Sequence, residues 1–176
     1  MLLVERVFQP PSMDSAISDE IKLKSMPSEI ISRSPDETQR LGAQLAHRLK
    51  PQDCVALIGE IGSGKTTFVQ GIARGLGVPP SSVASPSFVL VREYRGRIPL
   101  AHADLFRLEG LAEAATVGLE EYYEGPGVTV IEWANRIPTV LPDQFLEIQF
   151  SMVNPKTRAL TAIPHGKRYL GRGWFR

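Results

Sequence analysis

The 176-residue sequence has a single cysteine, Cys54. No disulfide can therefore close within the chain, which excludes a secreted scaffold built on disulfides. No apolar run approaches the ~18 residues that a membrane-spanning helix needs. The opening residues, MLLVERVFQPPSMD, put charges inside a short apolar stretch and have no cationic lead, unlike a signal peptide. An excess of one charge is also missing. Twenty basic residues against 19 acidic ones leave a net charge of +1, so the chain is not basic throughout. Internal repeats and low-complexity tracts are absent. A soluble, cytoplasmic protein with no membrane role is the expectation. Hydrophobic residues make up 43% of the chain, enough for the core of one domain of this length.

The order of segments predicts how that domain is built. Residues 1–27 are interrupted by Pro10, Pro11 and Pro27 and read as a flexible extension, with one short segment near Ile21–Leu23. Ser34-Pro35-Asp36-Glu37 has the form of a capping box. Leu41, Leu45 and Leu49 then lay one apolar stripe on a helix that Pro51 stops. Cys54–Ile58 is a short continuous apolar run, the pattern of a strand buried on both faces. A glycine loop leads into a helix over about Lys65–Leu76. Phe88–Tyr94 and Ile98–His102 flank Arg95-Gly96-Arg97 as a hairpin. Leu111–Tyr123 reads as helix broken at Gly118. Val128–Ile131 is a second buried strand, and Phe145–Met152 with Arg158–Ile163 form a terminal hairpin around Asn154-Pro155. With Gly59-Glu60-Ile61-Gly62-Ser63-Gly64-Lys65-Thr66 set between strand and helix, a G-x-x-x-x-G-K-[ST] loop, these elements imply an α/β, three-layer P-loop NTPase domain over residues 28–165, its sheet mainly parallel with antiparallel edge strands.

Gly59-Glu60-Ile61-Gly62-Ser63-Gly64-Lys65-Thr66 carries the chemistry. It fits G-x-x-x-x-G-K-[ST], in which glycines let consecutive N–H groups turn toward phosphate oxygens. The helix that follows presents its positive end to the same anion. Lys65 can bridge terminal phosphates, and the Thr66 hydroxyl can take one position on Mg²⁺. ATP with Mg²⁺ is the cofactor pair this implies. The loop residues Ile61, Gly62, Ser63, Gly64, Lys65, Thr66 and Thr67 are its expected contacts. A metal also needs a carboxylate, and two acids end strands, Glu132 and Asp104. One can hold the metal while the other orients the attacking water. Ser85-Pro86-Ser87 offers hydroxyls to a γ-phosphate, Ser87 among them. Trp133 can stack on adenine or on a partner, although core packing explains it equally well. His102-x-Asp104 supplies two metal-ligand types without a third, so His102 reads as structural. No Asn-Lys-x-Asp guanine-reading motif is present, which argues against a GTPase.

The ordered set is more specific than the P-loop alone. Gly59–Phe68, Gly71, Leu76-Gly77, Ser85-Pro86-Ser87-Phe88, His102-Ala103-Asp104-Leu105-Phe106-Arg107, Ile131-Glu132-Trp133 and Leu141-Pro142 together resemble the TsaE (YjeE) family. These are small bacterial ATPases of threonylcarbamoyladenosine biosynthesis in tRNA. The resemblance covers about Glu29 to Ile163. It implies that Thr66 and Glu132 coordinate Mg²⁺ and that Lys65, Asp104 and Glu132 serve hydrolysis. It also implies that Glu37 and a late basic residue, Arg158 or alternatively Lys156, approach the nucleotide. ATP turnover would be slow alone and coupled to TsaD and TsaB homologues, the complex that transfers the threonylcarbamoyl group. tRNA would be met through that complex. Ser87, Phe106 and Ser63 depart from the residues usual there, Thr, Tyr and Ala. A small P-loop kinase and a nucleotide-gated binding module without turnover are the alternatives.

The charge of +1 is a cancellation. Residues 1–147 carry 14 basic and 19 acidic residues, whereas residues 148–176 carry six basic ones and no acid. The sequence thus sets residues 166–176 apart as a basic tail able to meet RNA phosphates or an acidic partner face.

Overall fold

A computed structural model describes residues 27–175. Apart from Pro27, the predicted extension and its segment near Ile21–Leu23 lie outside the described residues. Seven strands and four helices are labelled here in chain order. They are β1 (Ser28–Ser32), α1 (Pro35–Ala46), β2 (Cys54–Ile58), α2 (Lys65–Gly75), β3 (Val91–Tyr94), β4 (Leu100–Asp104), α3 (Leu111–Ala115), α4 (Leu119–Glu124), β5 (Val128–Glu132), β6 (Phe145–Asn154) and β7 (Thr157–His165). One sheet holds all seven strands in the order β1-β7-β6-β2-β5-β4-β3. The middle four are parallel, while β3 on one edge and the β7–β1 pair on the other run antiparallel. This is the mixed sheet that the sequence predicts.

Burial of β2 on both faces follows from alternation within its apolar run. Val55 and Leu57 join the core beneath α1 and α2, with Phe68, Ile72, Val130 and Ile148. Cys54 and Ala56 join the core on the opposite face, with Leu105, Leu119 and Ile131. The sheet is therefore the middle of three layers.

Two glycines set the spacing of α1 and α2. A Cβ on Gly71 would lie 2.1 Å from the Gln39 carbonyl oxygen, and one on Gly42 would lie 2.3 Å from that of Phe68. The helix backbones touch at this crossing. At the start of α1, Ser34 Oγ accepts from the Glu37 N–H at 3.1 Å. Glu37 Oε2 accepts from Arg33, one residue before the cap, at 2.7 Å.

Two boundaries shift, since α1 ends at Ala46 instead of running to Pro51 and β4 spans Leu100–Asp104 instead of Ile98–His102, and two further segments differ in kind from the sequence expectation. Phe88–Leu90 is a turn, because the Leu90 N–H donates to Pro86 O at 2.7 Å and Leu90 has a φ of +65°, so the strand begins at Val91. Residues 166–175, set apart by charge as a tail, pack on the core. Tyr169 and Trp174 are buried with the α1–α2 layer, and the Cys54 N–H donates to Tyr169 Oη at 2.7 Å. Arg168 Nε donates to Asp53 Oδ1 at 2.9 Å, and Arg172 pairs with Oδ2 of the same fully buried carboxylate. Two of the six C-terminal cations are thereby spent on an internal acid.

Candidate functional site

The site lies where the carboxyl ends of parallel strands meet, the usual ligand position in open α/β sheets. β2 feeds the glycine loop, and the registers Leu57↔Glu132 and Asp104↔Glu132 bring both acids to the same sheet end. Gly62 and Gly64 have φ of +75° and +101°, a region open mainly to glycine. A Cβ on Gly62 would meet nothing within 4 Å, so there is open space beside the loop at this point.

Lys65 opens α2. Its Nζ donates to Gly59 O at 2.7 Å and to Glu60 O at 3.0 Å, and lies 3.9 Å from the Trp133 ring centroid. Burial pushes its ammonium below the ordinary lysine range, and the carboxylates of Glu132, Asp104 and Glu60 push it back up. Trp133, just past β5, has a φ of +59°, an unusual conformation for so large a residue. Its ring packs against Phe106 with centroids 4.9 Å apart.

The two strand-end acids have different partners. Thr66 Oγ1 donates to the Glu132 carboxylate, at 2.8 Å from Oε1 and 3.1 Å from Oε2. His102 Nε2 also contacts Oε1, at 2.9 Å. Asp104 Oδ2 instead accepts from Ser85 Oγ at 2.7 Å and from Ser87 Oγ, while Oδ1 accepts from the Phe106 N–H at 2.9 Å. Both acids are buried, at 1% exposure for Asp104 and 3% for Glu132. Among the described residues no group of three or more His, Cys, Asp or Glu side chains is placed to hold a metal. A Thr–Glu pair suits Mg²⁺, which keeps waters and substrate phosphates in its shell.

Two cavities flank the loop. The first, of about 360 Å³, is lined by Ile61, Gly62, Gly64, Lys65, Thr66, Thr67, Ser87, Asp104, Glu132 and Trp133 from the predicted set, together with Ser85 and Phe106. The second, of about 440 Å³, shares Gly62, Gly64 and Thr67 and is closed by Arg33, Ser34, Thr38, Pro155, Lys156 and Arg158. Arg158 Nη2 donates to Gly62 O at 3.2 Å. Ser63 and Glu37 line neither cavity. Ser63 Oγ is buried without a partner, and Glu37 is held by Arg33 and Arg40.

Sequence reasoning did not assign Phe106, Arg33 or Thr38 to the site. Phe106 sits two residues past Asp104, close enough for motif spacing to have flagged it. Nothing in the sequence marks Arg33 or Thr38, whose place depends on how α1 docks. His102, read from the sequence as structural, meets Glu132 in the fold.

Comparison with known proteins shows the family. Residues 32–160 match the family model described as TsaE, threonylcarbamoyl adenosine biosynthesis protein. The chain is 39% identical over 137 residues to the tRNA threonylcarbamoyladenosine biosynthesis protein TsaE of Bacillus subtilis (strain 168), covering 77% of this chain and 85% of that one. To the protein of the same name from Treponema pallidum (strain Nichols) it is 37% identical over 131 residues, covering 74% and 96%. The crystal structure of Bacillus subtilus YdiB superposes with a TM-score of 0.69 at 34% identity, covering 82% of this chain and 89% of that one.

Proposed function

Because this chain belongs to the TsaE family, we propose that it serves threonylcarbamoyladenosine biosynthesis in tRNA as an ATPase coupled to TsaB- and TsaD-type partners. The observation that carries the reading is the Thr66–Glu132 hydrogen bond beside an open glycine loop. A hydroxyl that donates to a carboxylate keeps its lone pairs for a cation, and the carboxylate supplies the charge. The residues present fit Mg²⁺–ATP. Thr66 and Glu132 would hold the metal, the N–H groups of Gly62 and of residues 64–67 would cradle phosphate, and Lys65 would leave its own loop carbonyls to meet the terminal phosphates. Bound Mg²⁺ supplies charge neutralisation on the β- and γ-phosphates. The second cavity, with Arg158 and Lys156 on its wall, offers space along the loop for the rest of the nucleotide.

Asp104 is the candidate to orient water. Ser85 and Ser87 both occupy its Oδ2, which supports slow turnover until a partner rearranges that loop. The chain makes no threonylcarbamoyl bond in this reading. TsaD-type partners do so, and tRNA is met through the complex. Among the described residues no helix is long and apolar enough to cross a membrane, and we place the activity in the cytoplasm.

The test is phosphate release by the purified protein with the TsaB–TsaD complex and tRNA. Release that depends on the complex and is abolished by Lys65→Ala supports the proposal. No release under those conditions, with tRNA modification intact in a Lys65→Ala strain, overturns it. A phosphorylated nucleoside or metabolite as product would point to the kinase alternative, and tight ATP binding without turnover to the binding module.

A further inference from the structure

His102 is fully buried in the middle of β4, at 0% exposure, and none of the roles assigned above uses it. In register it faces Val130 of β5 and Arg92 of β3, two residues before the Asp104↔Glu132 pair. Its Nε2 lies 2.9 Å from Glu132 Oε1, the oxygen that also takes the shorter bond from Thr66. Its Nδ1 is buried with no hydrogen-bond partner. A carboxylate is an acceptor, so the nitrogen facing it carries the hydrogen and the imidazole is the Nε2–H tautomer. The orphan is then a bare ring nitrogen and not a buried N–H.

We infer that His102 is a positioning residue for the metal site, fixing the Glu132 carboxylate against Thr66 so that it meets Mg²⁺ preformed. The inference rests on the ATPase reading above. Oε1 is pinned from two sides, by a strand neighbour and by the first turn of α2. Oε2 keeps only the longer 3.1 Å contact with Thr66. Rotation of the carboxylate about its last bond would break both Oε1 contacts and leave the buried Nε2–H unpaired. Residues that orient a metal ligand in this way typically contribute 10–100-fold to metal affinity.

The experiment compares His102→Leu, His102→Gln and His102→Asn with the parent. A fluorescent ATP analogue is titrated in EDTA and then at increasing Mg²⁺. The Gln amide nitrogen reaches the position of Nε2, whereas that of Asn matches Nδ1 and stops short of Glu132. The half-saturating Mg²⁺ concentration is expected to rise about tenfold in the Leu and Asn variants and less than about threefold in Gln. Affinity in EDTA, which reads the loop and Lys65, is expected to stay within about twofold of the parent in every variant that folds. If Leu does not fold, the contrast between Gln and Asn carries the same prediction. Equal Mg²⁺ dependence in Gln and Asn overturns the inference, as does a loss in EDTA as large as the loss with Mg²⁺. A parent protein whose binding is indifferent to Mg²⁺ overturns the ATPase reading, and this inference with it.

Discussion

Ser85 donates its hydroxyl hydrogen to Asp104 Oδ2 at 2.7 Å, tying a loop to a strand end 19 residues further along the chain. Ser87 donates to the same oxygen. In Asp104→Asn one side-chain oxygen becomes an amide that can only donate. Either the serine pair or the Phe106 N–H then loses its acceptor. Asp104 is not bonded to Thr66, so nucleotide affinity should change little, within about threefold. Partner-stimulated turnover should fall about 10²-fold, as for loss of a group that orients or accepts a proton. Single-turnover phosphate release and equilibrium nucleotide binding, measured on one preparation, check the split. Equal losses in both would assign Asp104 to binding.

Lys65 gives a pH dependence with a definite sign. Burial lowers its ammonium from the ordinary value of 10.5, outweighing the neighbouring carboxylates. The cost of holding a buried charge is present at low pH and is relieved as pH rises toward the unfolded value. Phosphate binding favours the charged form, so above the free-protein value binding must take up a proton. Affinity for ATP should therefore weaken with rising pH, beginning below 10.5 and approaching about tenfold per pH unit. Lys65→Arg, whose guanidinium stays protonated throughout, should bind with a flat profile over that range. Isothermal titration from neutral pH to about 10 checks it. A flat profile in the parent would show that Lys65 does not take up the proton.

Much of the site is legible in the sequence because its residues are consecutive. The glycine loop, Lys65 and Thr66 form one octet, and Glu132 closes a visible apolar run. What escaped the sequence depends on register or docking. Whether His102 meets Glu132 or solvent is decided by the pairing of β4 with β5. Phe88–Leu90 looked like strand because its residues are apolar, yet a backbone turn with a positive φ at Leu90 ends the pairing there. The C-terminal segment misled most. Its arginines read as free charge, because nothing around Asp53 in the sequence announces that this acid is fully buried.

The Asp53 cluster predicts where stability resides. Its carboxylate accepts from Arg168, Arg172 and the Lys50 N–H. Asp53→Ala would leave these donors facing a cavity. Both arginines retain some solvent contact, which tempers the loss. A cost of about 2 kcal/mol is expected, or a melting temperature lower by about 5–8 °C. Differential scanning calorimetry measures it, and nucleotide affinity below the transition should be unchanged. Deleting residues 166–176 should do more harm than the point mutant, because Tyr169 and Trp174 leave the core.

Gly71 lies at the closest approach of α1 and α2, where a Cβ would stand 2.1 Å from a backbone oxygen that cannot swing aside. Helix propensity alone would make Gly71→Ala stabilising by up to about 1 kcal/mol. The steric term opposes this and wins, because two helices must separate. A net loss of about 1–3 kcal/mol in chemical denaturation is expected. The loop and Lys65 are carried on α2, so nucleotide affinity should fall as well. A stabilised Gly71→Ala would mean that the crossing relaxes freely.

Ser63 offers the opposite case inside the loop. The residue is 1% exposed, and its hydroxyl has no hydrogen-bond partner. The hydroxyl sits where a Cβ on Gly59 would come within 2.9 Å of it, away from both cavities. A buried hydroxyl without a partner costs about 1–3 kcal/mol of desolvation, and alanine fills the same backbone position without it. Ser63→Ala should therefore raise stability by about 1 kcal/mol, moving the melting temperature up by a few degrees. The loop geometry is set by glycines 59, 62 and 64, and the Ser63 N–H, bonded to Glu60 O at 3.2 Å, is retained. Nucleotide affinity and turnover should then match the parent within about twofold. Lost affinity with raised stability would show that the hydroxyl turns inward once phosphate arrives, and would assign it a binding role that its resting position lacks.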